Sequence, residues 1–479
     1  MERSKVIFGN EMPEKVYKKA CRKMEKYKKK FGDDSTKEYY FEEAENEVLS
    51  PIGVKNLVLT DKPGFVFPDN AVIVGNIRMG YGHYRISMAI ASAAHALGYV
   101  PYWLDMNGYP ETAATKIISH QNDLYSMGSR LSQKIGLFNK LYWEPLNSEG
   151  FRKITYNAAD QKVAELMAPL LKNLPKDIPF IATHVWPAQA ALHAGLTNVV
   201  NAIPDNWPMA LHLAEGAVHT VQTPSSYIGY KMLRGMDEKR ELKIMPEGSV
   251  VNTGHYVDDE FVKNIDVDTA ARLGRKNAGA PMRFLLSIGG AGAQQKLFED
   301  IIRHLIPAVR YKKASLLVNV GDHADVWKAM KKNIPELEYN HTEHFDDYSS
   351  AKSFIEADDL DGIHVFSDKD IFAAVYLTNL LIRRCDVLLT KPSELSFYPV
   401  PKIMIHRVGG HEAWGAIRSA EVGDGTYECD KTREVLSMID ALIADGDVFR
   451  SLCAGVTKAN RAGVYNGAYE AVKLAVKNK

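Results

Sequence analysis

The sequence predicts an α/β protein built from two halves, each a parallel sheet with helices on both faces. A short apolar strand, a Gly-rich loop and a helix follow one another twice, over residues 71–97 and 283–309. Further apolar strands end in polar residues, as parallel strands do where a sheet carries a site. A chain of 479 residues is long enough for two or three cores. We therefore expect two doubly wound domains.

Charge and cysteine usage narrow the class of protein. The chain has 59 basic and 59 acidic residues, so no net field attracts nucleic acid, and we expect no nucleic-acid partner. Its four cysteines show no CxxC or metal-ligand spacing, which favours a reducing cytoplasm. No run approaches the ~20 apolar residues of a membrane span, and the amino terminus lacks the apolar core of a signal peptide. We expect a cytoplasmic protein, soluble or at most peripheral at the membrane.

Composition along the chain suggests four segments. Residues 1–65 are a charged N-terminal extension, expected to form one or two exposed helices. Residues 66–265 are the first doubly wound domain and residues 266–455 the second, joined by an Ala- and Gly-rich connection at 266–281. Residues 456–479 contain a final helix, which we expect to pack back on the first domain.

The first half contains several strands that end in polar residues. Ala71–Val74 precedes a Gly loop ending at His83, and a small-residue helix follows to Leu97. Glycines let the loop turn tightly and approach a ligand, while alanines let the helix lie close to the sheet. The later strand-and-tail segments are Tyr99–Asp105, Pro179–His184, Asn198–Asp205, Val218–Ser225 and Val250–Gly254. They predict a site at the carboxyl edge of this sheet.

The stretch Gln121–Asn147 allows two interpretations. Its apolar residues recur near helical spacing, interleaved with Arg130, Lys134 and Lys140. One interpretation is a helix packed in the core of its domain. The other is an apolar, basic-edged surface that takes a lipid-like acceptor or touches a membrane.

The second half repeats the pattern. A strand at Arg283–Ile288 leads through a Gly loop into a helix at Lys296–Val309, and the polar segment Glu338–Asp361 is expected to be a surface insertion. The remaining predicted strands are Ser315–Val320, Gly362–Phe366 and Asp386–Leu389. The stretch Thr390–Thr426 follows as a polar loop, a strand and a Gly-rich helix start. Free N–H groups at such a helix start favour an anion such as a diphosphate.

The motifs of the first half resemble those of the GT-B glycosyltransferases. The resemblance is to the branch of monogalactosyldiacylglycerol synthase, processive diacylglycerol glucosyltransferase and, more distantly, the lipid II glycosyltransferase. The Gly-Gly-Gly-His loop of that branch is similar to Gly80–His83. Its Thr-Asp strand end is similar to Pro204–Asp205, and its Thr-Gly-Ile-Pro is similar to Thr253–Tyr256.

The second half carries the other motifs of that branch, so the order holds from about residue 70 to 430. The Gly-rich loop at Gly289–Gly292 is similar to the family's, and Thr390–Pro392 is similar to its Thr-Lys-Pro-Gly-Gly. Gly409–Glu412 is similar to its Pro-Gly-Gln-Glu helix start. The family's Glu-bearing helix, which grips the donor ribose, is shortened here, because only Leu395–Val400 separates Glu394 from Pro401.

The resemblance implies two Rossmann-like domains facing across a cleft and sugar transfer from a nucleotide sugar, with a UDP-sugar as co-substrate and no cofactor. An inverting transfer needs a general base, and the resemblance gives that role to His83, with Asp205 orienting it or binding the acceptor. Gly80 and Gly82 form the acceptor-side loop. Donor-binding residues are Gly289, Gly290, Gly292, Lys391, Glu394, Gly410, His411 and Glu412. No DxD pair stands at a strand end, which predicts metal independence.

Other interpretations stay open. His83 as a structural histidine, Asp205 as a helix cap and Lys391 in an exposed salt bridge are ordinary roles for these residue types. The resemblance leaves open whether Glu394 or Glu412 takes the ribose contact. A nucleotide-sugar hydrolase or epimerase on the same scaffold is an alternative function, and a catalytically inactive nucleotide-sugar-binding protein is another, because fold alone does not choose between them. The acceptor is not identified, although a lipid or membrane-associated molecule is one expectation.

Overall fold

The computed structural model describes residues 2–134, 145–288, 294–338 and 340–477. The described strands are Val6–Ile7 (β1), Asn10–Glu11 (β2), Tyr40–Glu45 (β3), Lys55–Thr60 (β4), Ala71–Asn76 (β5), Val100–Asp105 (β6), Phe180–Ala182 (β7), Val199–Ala202 (β8), Val218–Val221 (β9), Val250–Asn252 (β10), Met282–Ser287 (β11), Ala314–Asn319 (β12), Thr342–Phe345 (β13), Ile363–Ser367 (β14), Val387–Thr390 (β15) and Lys402–Met404 (β16).

The described helices are Glu14–Phe31 (α1), Gly82–Ala96 (α2), Ala113–Lys134 (α3), Ile154–Ala164 (α4), Val185–His193 (α5), Pro224–Lys231 (α6), Asp259–Asn277 (α7), Gln295–Arg310 (α8), Ala324–Asn333 (α9), Tyr348–Ala357 (α10), Ile371–Arg384 (α11), Ala413–Val422 (α12), Thr432–Ala444 (α13), Gly446–Arg461 (α14) and Gly467–Val476 (α15). None of them is both long enough and apolar enough to cross a membrane.

The chain forms two compact units. Unit 1 comprises Met1–Asp258, Gly409–His411 and Asn466–Lys479. Unit 2 comprises Asp259–Val408 and Glu412–Tyr465. Each unit contains its own open sheet with helices packed on both faces, the doubly wound α/β architecture that the repeated strand, loop and helix pattern predicts.

The sheet of unit 1 has the strand order β10-β9-β8-β7-β5-β6-β4-β3 and is parallel except for the β3–β4 pair. The chain leaves β5 for β6 on one side and later returns to β7 on the other side of β5. The loops after β5 and β7 therefore diverge, which creates a topological switch point between these two strands. Every residue of β5 is buried, because helices cover both faces of the sheet.

The first 65 residues contain strands that were not predicted. Helix α1 is present, but residues 40–60 supply β3 and β4, which extend the main sheet by an antiparallel pair. The Phe41 ring is buried in the unit 1 core, and the Tyr102 hydroxyl donates to Glu43 at 3.0 Å. Three of the six residues of β3, YFEEAE, are glutamates that break the apolar alternation, so its pattern does not reveal a strand.

The sheet of unit 2 is fully parallel, with the order β13-β14-β12-β11-β15-β16. Its first strand, β11, lies between β12 and β15, so a second switch point lies between β11 and β15. The predicted surface insertion Glu338–Asp361 instead contains the edge strand β13 and helix α10. The predicted connection Asp266–Pro281 lies largely within α7.

The predicted final helix is two helices. It ends as α14 at Arg461 and restarts as α15 at Gly467. Helix α15 packs in unit 1 on α2, β7 and β8, and the Gly467 N–H donates to the His255 carbonyl at 2.9 Å. A Cβ at Gly467 would lie 2.1 Å from the Gly254 carbonyl oxygen, so glycine permits this close approach.

Candidate functional site

The switch point of unit 1 carries two histidines. The β5 loop ends at His83, the second residue of α2, and β7 is followed by Thr183 and His184. The Ser87 and Thr183 hydroxyls hydrogen-bond at 2.8 Å, which ties the start of α2 to the end of β7. The rings of His83 and His184 meet edge to face, with centroids 4.9 Å apart. Two imidazoles thus lie where α/β sheets place their ligands.

The backbone fixes the tautomer of His83. Its Nδ1 lies 2.7 Å from the Thr183 carbonyl oxygen, and a carbonyl only accepts hydrogen bonds. Nδ1 therefore carries the hydrogen, and the lone pair of the neutral ring is on Nε2. The His83 side chain is half-buried. A neutral imidazole held in this way is equipped to accept a proton through Nε2.

His184 is buried and neutral. Its Nδ1 accepts a hydrogen bond from the Trp186 N–H at 3.2 Å, which caps α5 and leaves the ring hydrogen on Nε2. Burial, reinforced by the charges of His83 and His212, holds the pKa of His184 well below 6.5, against a smaller opposing effect of Asp205. His184 therefore interacts electrostatically with three other titratable side chains of unit 1, those of His83, Asp205 and His212. Of these three, the sequence motifs predict His83 and Asp205.

Asp205 pairs with a histidine that the sequence analysis did not single out. Its Oδ2 lies 3.3 Å from His212 Nε2, and a carboxylate only accepts, so His212 carries its hydrogen on Nε2. His212 Nδ1 then accepts from the Tyr230 hydroxyl at 2.8 Å, while Tyr230 accepts from the Met209 N–H. His83 thus contacts the Thr183 carbonyl, and Asp205 belongs to an Asp205–His212–Tyr230 chain. That Asp205 orients His83 or binds the acceptor stays a prediction.

Lys391 directly follows β15. The predicted donor residues divide between the units, because Lys391, Glu394 and Glu412 belong to unit 2 and Gly410 and His411 to unit 1. The Lys391 ammonium and the Glu412 carboxylate form an ion pair, and Glu412 also accepts from the Val408 N–H at 2.7 Å. A short 3₁₀ turn, Gly410–Glu412, leads into α12. Lys391 and the start of α12 thus lie at the same edge of the sheet.

The segment after Lys391 is compact. Glu394 begins a four-residue 3₁₀ turn, Glu394–Phe397, where the resembling family has a helix. The Ser396 hydroxyl donates to the Ser393 carbonyl at 2.6 Å. Helix α12 lies so close to this turn that a Cβ at Gly415 would be 2.5 Å from the Pro392 carbonyl oxygen. The Glu394 side chain is half-buried.

Only some of the glycines predicted to lie in the site are among the described residues. Gly80 has φ of +79°, a conformation that favours glycine, and Gly82 is the first residue of α2. Gly289, Gly290 and Gly292 lie outside the described residues.

One cluster in the described part of unit 2 has side chains that metals use. Ligand atoms of His406, Glu428 and Asp430 lie within 4.8 Å of one another. His406 Nδ1 is 2.6 Å from Asp430 Oδ1, and the Arg407 guanidinium already donates to Glu428. Metal independence stays a prediction.

Sequence reasoning missed His184, His212 and Tyr230 as parts of the site. For His184 a signal existed, since it directly follows a predicted strand. For His212 and Tyr230 no local signal existed, because their partners come from separate loops and helices that only the fold brings together.

Comparison with solved structures finds similar folds at low identity. A UDP-GlcNAc 2-epimerase from Neisseria meningitidis bound to UDP-GlcNAc is 10% identical, with a TM-score of 0.45, over 85% of this chain and 100% of that chain. A trehalose 6-phosphate synthase from Burkholderia multivorans is 11% identical, with a TM-score of 0.45, over 86% and 98%. MnaA from S. aureus with UDP is 12% identical, with a TM-score of 0.44, over 85% and 98%.

Sequence comparison adds two family matches. No curated protein sequence matches the chain significantly. Residues 6–232 match the family model "Domain of unknown function (DUF6937)", and residues 245–476 match "Domain of unknown function (DUF6938)".

Proposed function

We propose that the protein is an inverting, metal-independent glycosyltransferase that uses a nucleotide sugar, with a UDP-sugar as the expected donor. The observation that carries the proposal is the fixed tautomer of His83, whose Nδ1 donates to the Thr183 carbonyl at 2.7 Å. The ordered motifs between residues 70 and 430 and the switch point in each sheet also support it. A lipid-like molecule is the proposed class of acceptor.

In the proposed reaction, unit 1 activates the acceptor hydroxyl and unit 2 stabilises the leaving diphosphate. The acceptor oxygen forms a bond to the anomeric carbon while the bond from that carbon to the diphosphate oxygen breaks. His83 Nε2 takes the proton of the acceptor hydroxyl, as a general base. Because His184 stays neutral, it adds no positive charge that would disfavour protonation of His83. Asp205, which pairs with His212, is proposed to orient His83 or to bind the acceptor.

Unit 2 is the proposed binder of the nucleoside diphosphate. Lys391 would neutralise the leaving diphosphate, and backbone N–H groups at the start of α12 would bind it. Glu412 holds Lys391 in place, and either Glu412 or Glu394 would accept from the ribose hydroxyls. The short Glu394–Phe397 turn also favours a second candidate, a nucleotide-sugar-binding protein without catalysis, because it shortens the segment that holds the ribose in the resembling family.

A thermal-shift screen with UDP, GDP, ADP, TDP and their sugar conjugates tests this proposal. We expect UDP and a UDP-sugar to raise Tm most. Lys391→Met should weaken UDP binding roughly 10-fold or more, since a charge-assisted contact is lost. Lys369→Met is the matched control, because Lys369 is 86% exposed and pairs with Asp346. A screen in which no nucleotide shifts Tm would contradict the proposal.

Turnover separates the candidates. Release of UDP that requires an acceptor, supplied as a lipid extract, supports transfer. Release at the same rate without acceptor supports a hydrolase or epimerase. UDP binding with no release under either condition supports the inactive binding protein.

A further inference from the structure

Helix α1 carries a stripe of unpaired cations, called here the basic stripe: Lys15, Lys19, Arg22, Lys26 and Lys29. Their spacing of 4, 3, 4 and 3 residues places them on one face of the helix. All five are exposed, and none forms an ion pair with any residue that the structure describes. At 1.5 Å rise per residue the stripe is about 21 Å long. Because the whole chain is neutral, this charge is a local feature.

The other face of α1 is fixed to unit 1. Lys23 Nζ binds Asp160 of α4 at 3.0 Å, and that carboxylate is 1% exposed. Ala20 and Tyr27 are buried in the same interface. The helix is therefore held with its cations outward, so that they form a rigid surface.

An exposed apolar face lies on the next helix. The first half of α3 is mostly buried, but four apolar residues of its second half are exposed: Leu124 at 45%, Tyr125 at 37%, Met127 at 57% and Leu131 at 38%. Leu124, Met127 and Leu131 recur at helical spacing, so they share one face. The interpretation of Gln121–Asn147 as a core helix is therefore wrong for these described residues, although 135–144 lie outside the described part.

The two features are neighbours. His120 of α3 packs against the rings of Phe31 and Tyr27 at the end of α1, with centroids 5.1 and 6.1 Å away. Lys30 Nζ lies 3.2 Å from His120 Nε2. Leu124 is one helical turn beyond His120, so the apolar face begins close to the carboxyl end of α1, within reach of the same surface as the last residue of the stripe, Lys29.

We infer that the basic stripe and the exposed apolar face of α3 together dock unit 1 on an anionic lipid bilayer. Lysine and arginine at such a surface bind acidic headgroups, while leucine and methionine enter the boundary of the acyl chains. A nucleic acid would match the charge but gives exposed aliphatic side chains no partner. The inference is independent of sugar transfer, and it would place the protein beside lipid-like acceptors if the proposed function holds.

Vesicle flotation of the full chain tests whether the basic stripe contributes to membrane binding. We expect binding to vesicles of phosphatidylcholine with phosphatidylglycerol, weakening with added salt, and little binding to phosphatidylcholine alone. The variant Lys19→Glu/Arg22→Glu/Lys26→Glu should reduce partitioning by roughly 100-fold, since each basic residue near an anionic surface contributes about fivefold. A control with the same change in net charge, Lys62→Glu/Lys239→Glu/Lys328→Glu, alters exposed lysines elsewhere and should bind like wild type.

A second pair of variants tests the apolar face. Leu124→Ser/Met127→Ser should weaken vesicle binding about tenfold, whereas Ile228→Ser/Met232→Ser, at exposed apolar residues elsewhere in unit 1, should not. Thermal melts verify that each variant is folded. The inference is overturned if wild type ignores anionic vesicles, if control and stripe variants lose binding equally, or if the stripe binds duplex nucleic acid but no vesicles. None of these readouts depends on UDP binding.

Discussion

The carboxyl edges of the two sheets hold different chemistry. In unit 1 the edge gathers imidazoles whose tautomers are fixed by contacts such as that of His83 with the Thr183 carbonyl. In unit 2 it holds the Lys391–Glu412 ion pair. A second pair, Lys402–Asp424, is buried at the start of β16. Similar sheets thus carry different side chains at these edges, imidazoles in unit 1 and an ion pair in unit 2.

The buried Lys402–Asp424 pair of unit 2 is where we expect a substitution to reduce stability most. Lys402 Nζ donates to Asp424 at 2.8 Å and to the Tyr398 and Val400 carbonyls, so all three of its hydrogens are used. Asp424 also accepts from Tyr465 and Ser419. We expect Lys402→Met to lower the free energy of unfolding by about 3–5 kcal/mol, because it leaves a buried carboxylate without its cation.

Urea unfolding measures this loss. The exposed Lys328→Met is the matched control and should change the free energy of unfolding by less than about 0.5 kcal/mol. Equal stabilities of the two variants would show that the pair does not stabilise unit 2.

A glycine pair tests how tightly α12 is packed. Gly415→Ala places a methyl group 2.5 Å from the Pro392 carbonyl oxygen, and we expect a loss of about 1–3 kcal/mol. Gly274→Ala in α7 meets nothing within 4 Å and should stabilise its helix by up to about 1 kcal/mol. Thermal unfolding compares the two, and the same sign of effect for both would argue against close packing at Gly415.

The neutrality of His184 predicts an acid-dependent loss of stability in unit 1. Its pKa is held well below 6.5 in the folded chain, so the unfolded chain binds more protons as the pH falls below 6.5. This contribution to the free energy of unfolding is fully present above pH 6.5. Below pH 6.5 it decreases by up to about 1.4 kcal/mol per pH unit. We expect His184→Asn, which keeps an acceptor for the Trp186 N–H, to reduce this slope.

The control for the pH dependence is His95→Asn, which changes an exposed histidine of α2 and should leave the slope as in wild type. The comparison uses free energies of unfolding of the three proteins, measured between pH 7 and pH 5. A slope that is the same in all three proteins would mean that His184 already carries a proton.

Much of the fold was predictable because most of its strands are short apolar runs with polar tails. Strands such as β5 and β11 have helices on both faces, so their sequences are continuously apolar and easy to recognise. Charged β3, and β13 within a polar segment, lie at sheet edges and lack that pattern. The break between α14 and α15 depends on tertiary packing of Gly467 against Gly254.

The candidate site was predictable only in part. His83 and His184 follow strands, so topology alone places them at one edge. The Asp205 contact with His212 was not predictable, because it depends on the path of the loop between β8 and β9. The roles given to His83, Lys391 and Glu412 remain predictions of the resemblance.

The most direct measurement is UDP release by His83→Asn, using the UDP-sugar that stabilises wild type most. Asparagine keeps an N–H donor for the Thr183 carbonyl but removes Nε2. We predict a rate lower by roughly 10²–10⁴-fold, an unchanged thermal shift with UDP, and a wild-type rate for the control His95→Asn. UDP release by His83→Asn at the wild-type rate would contradict the assignment of His83 as the base.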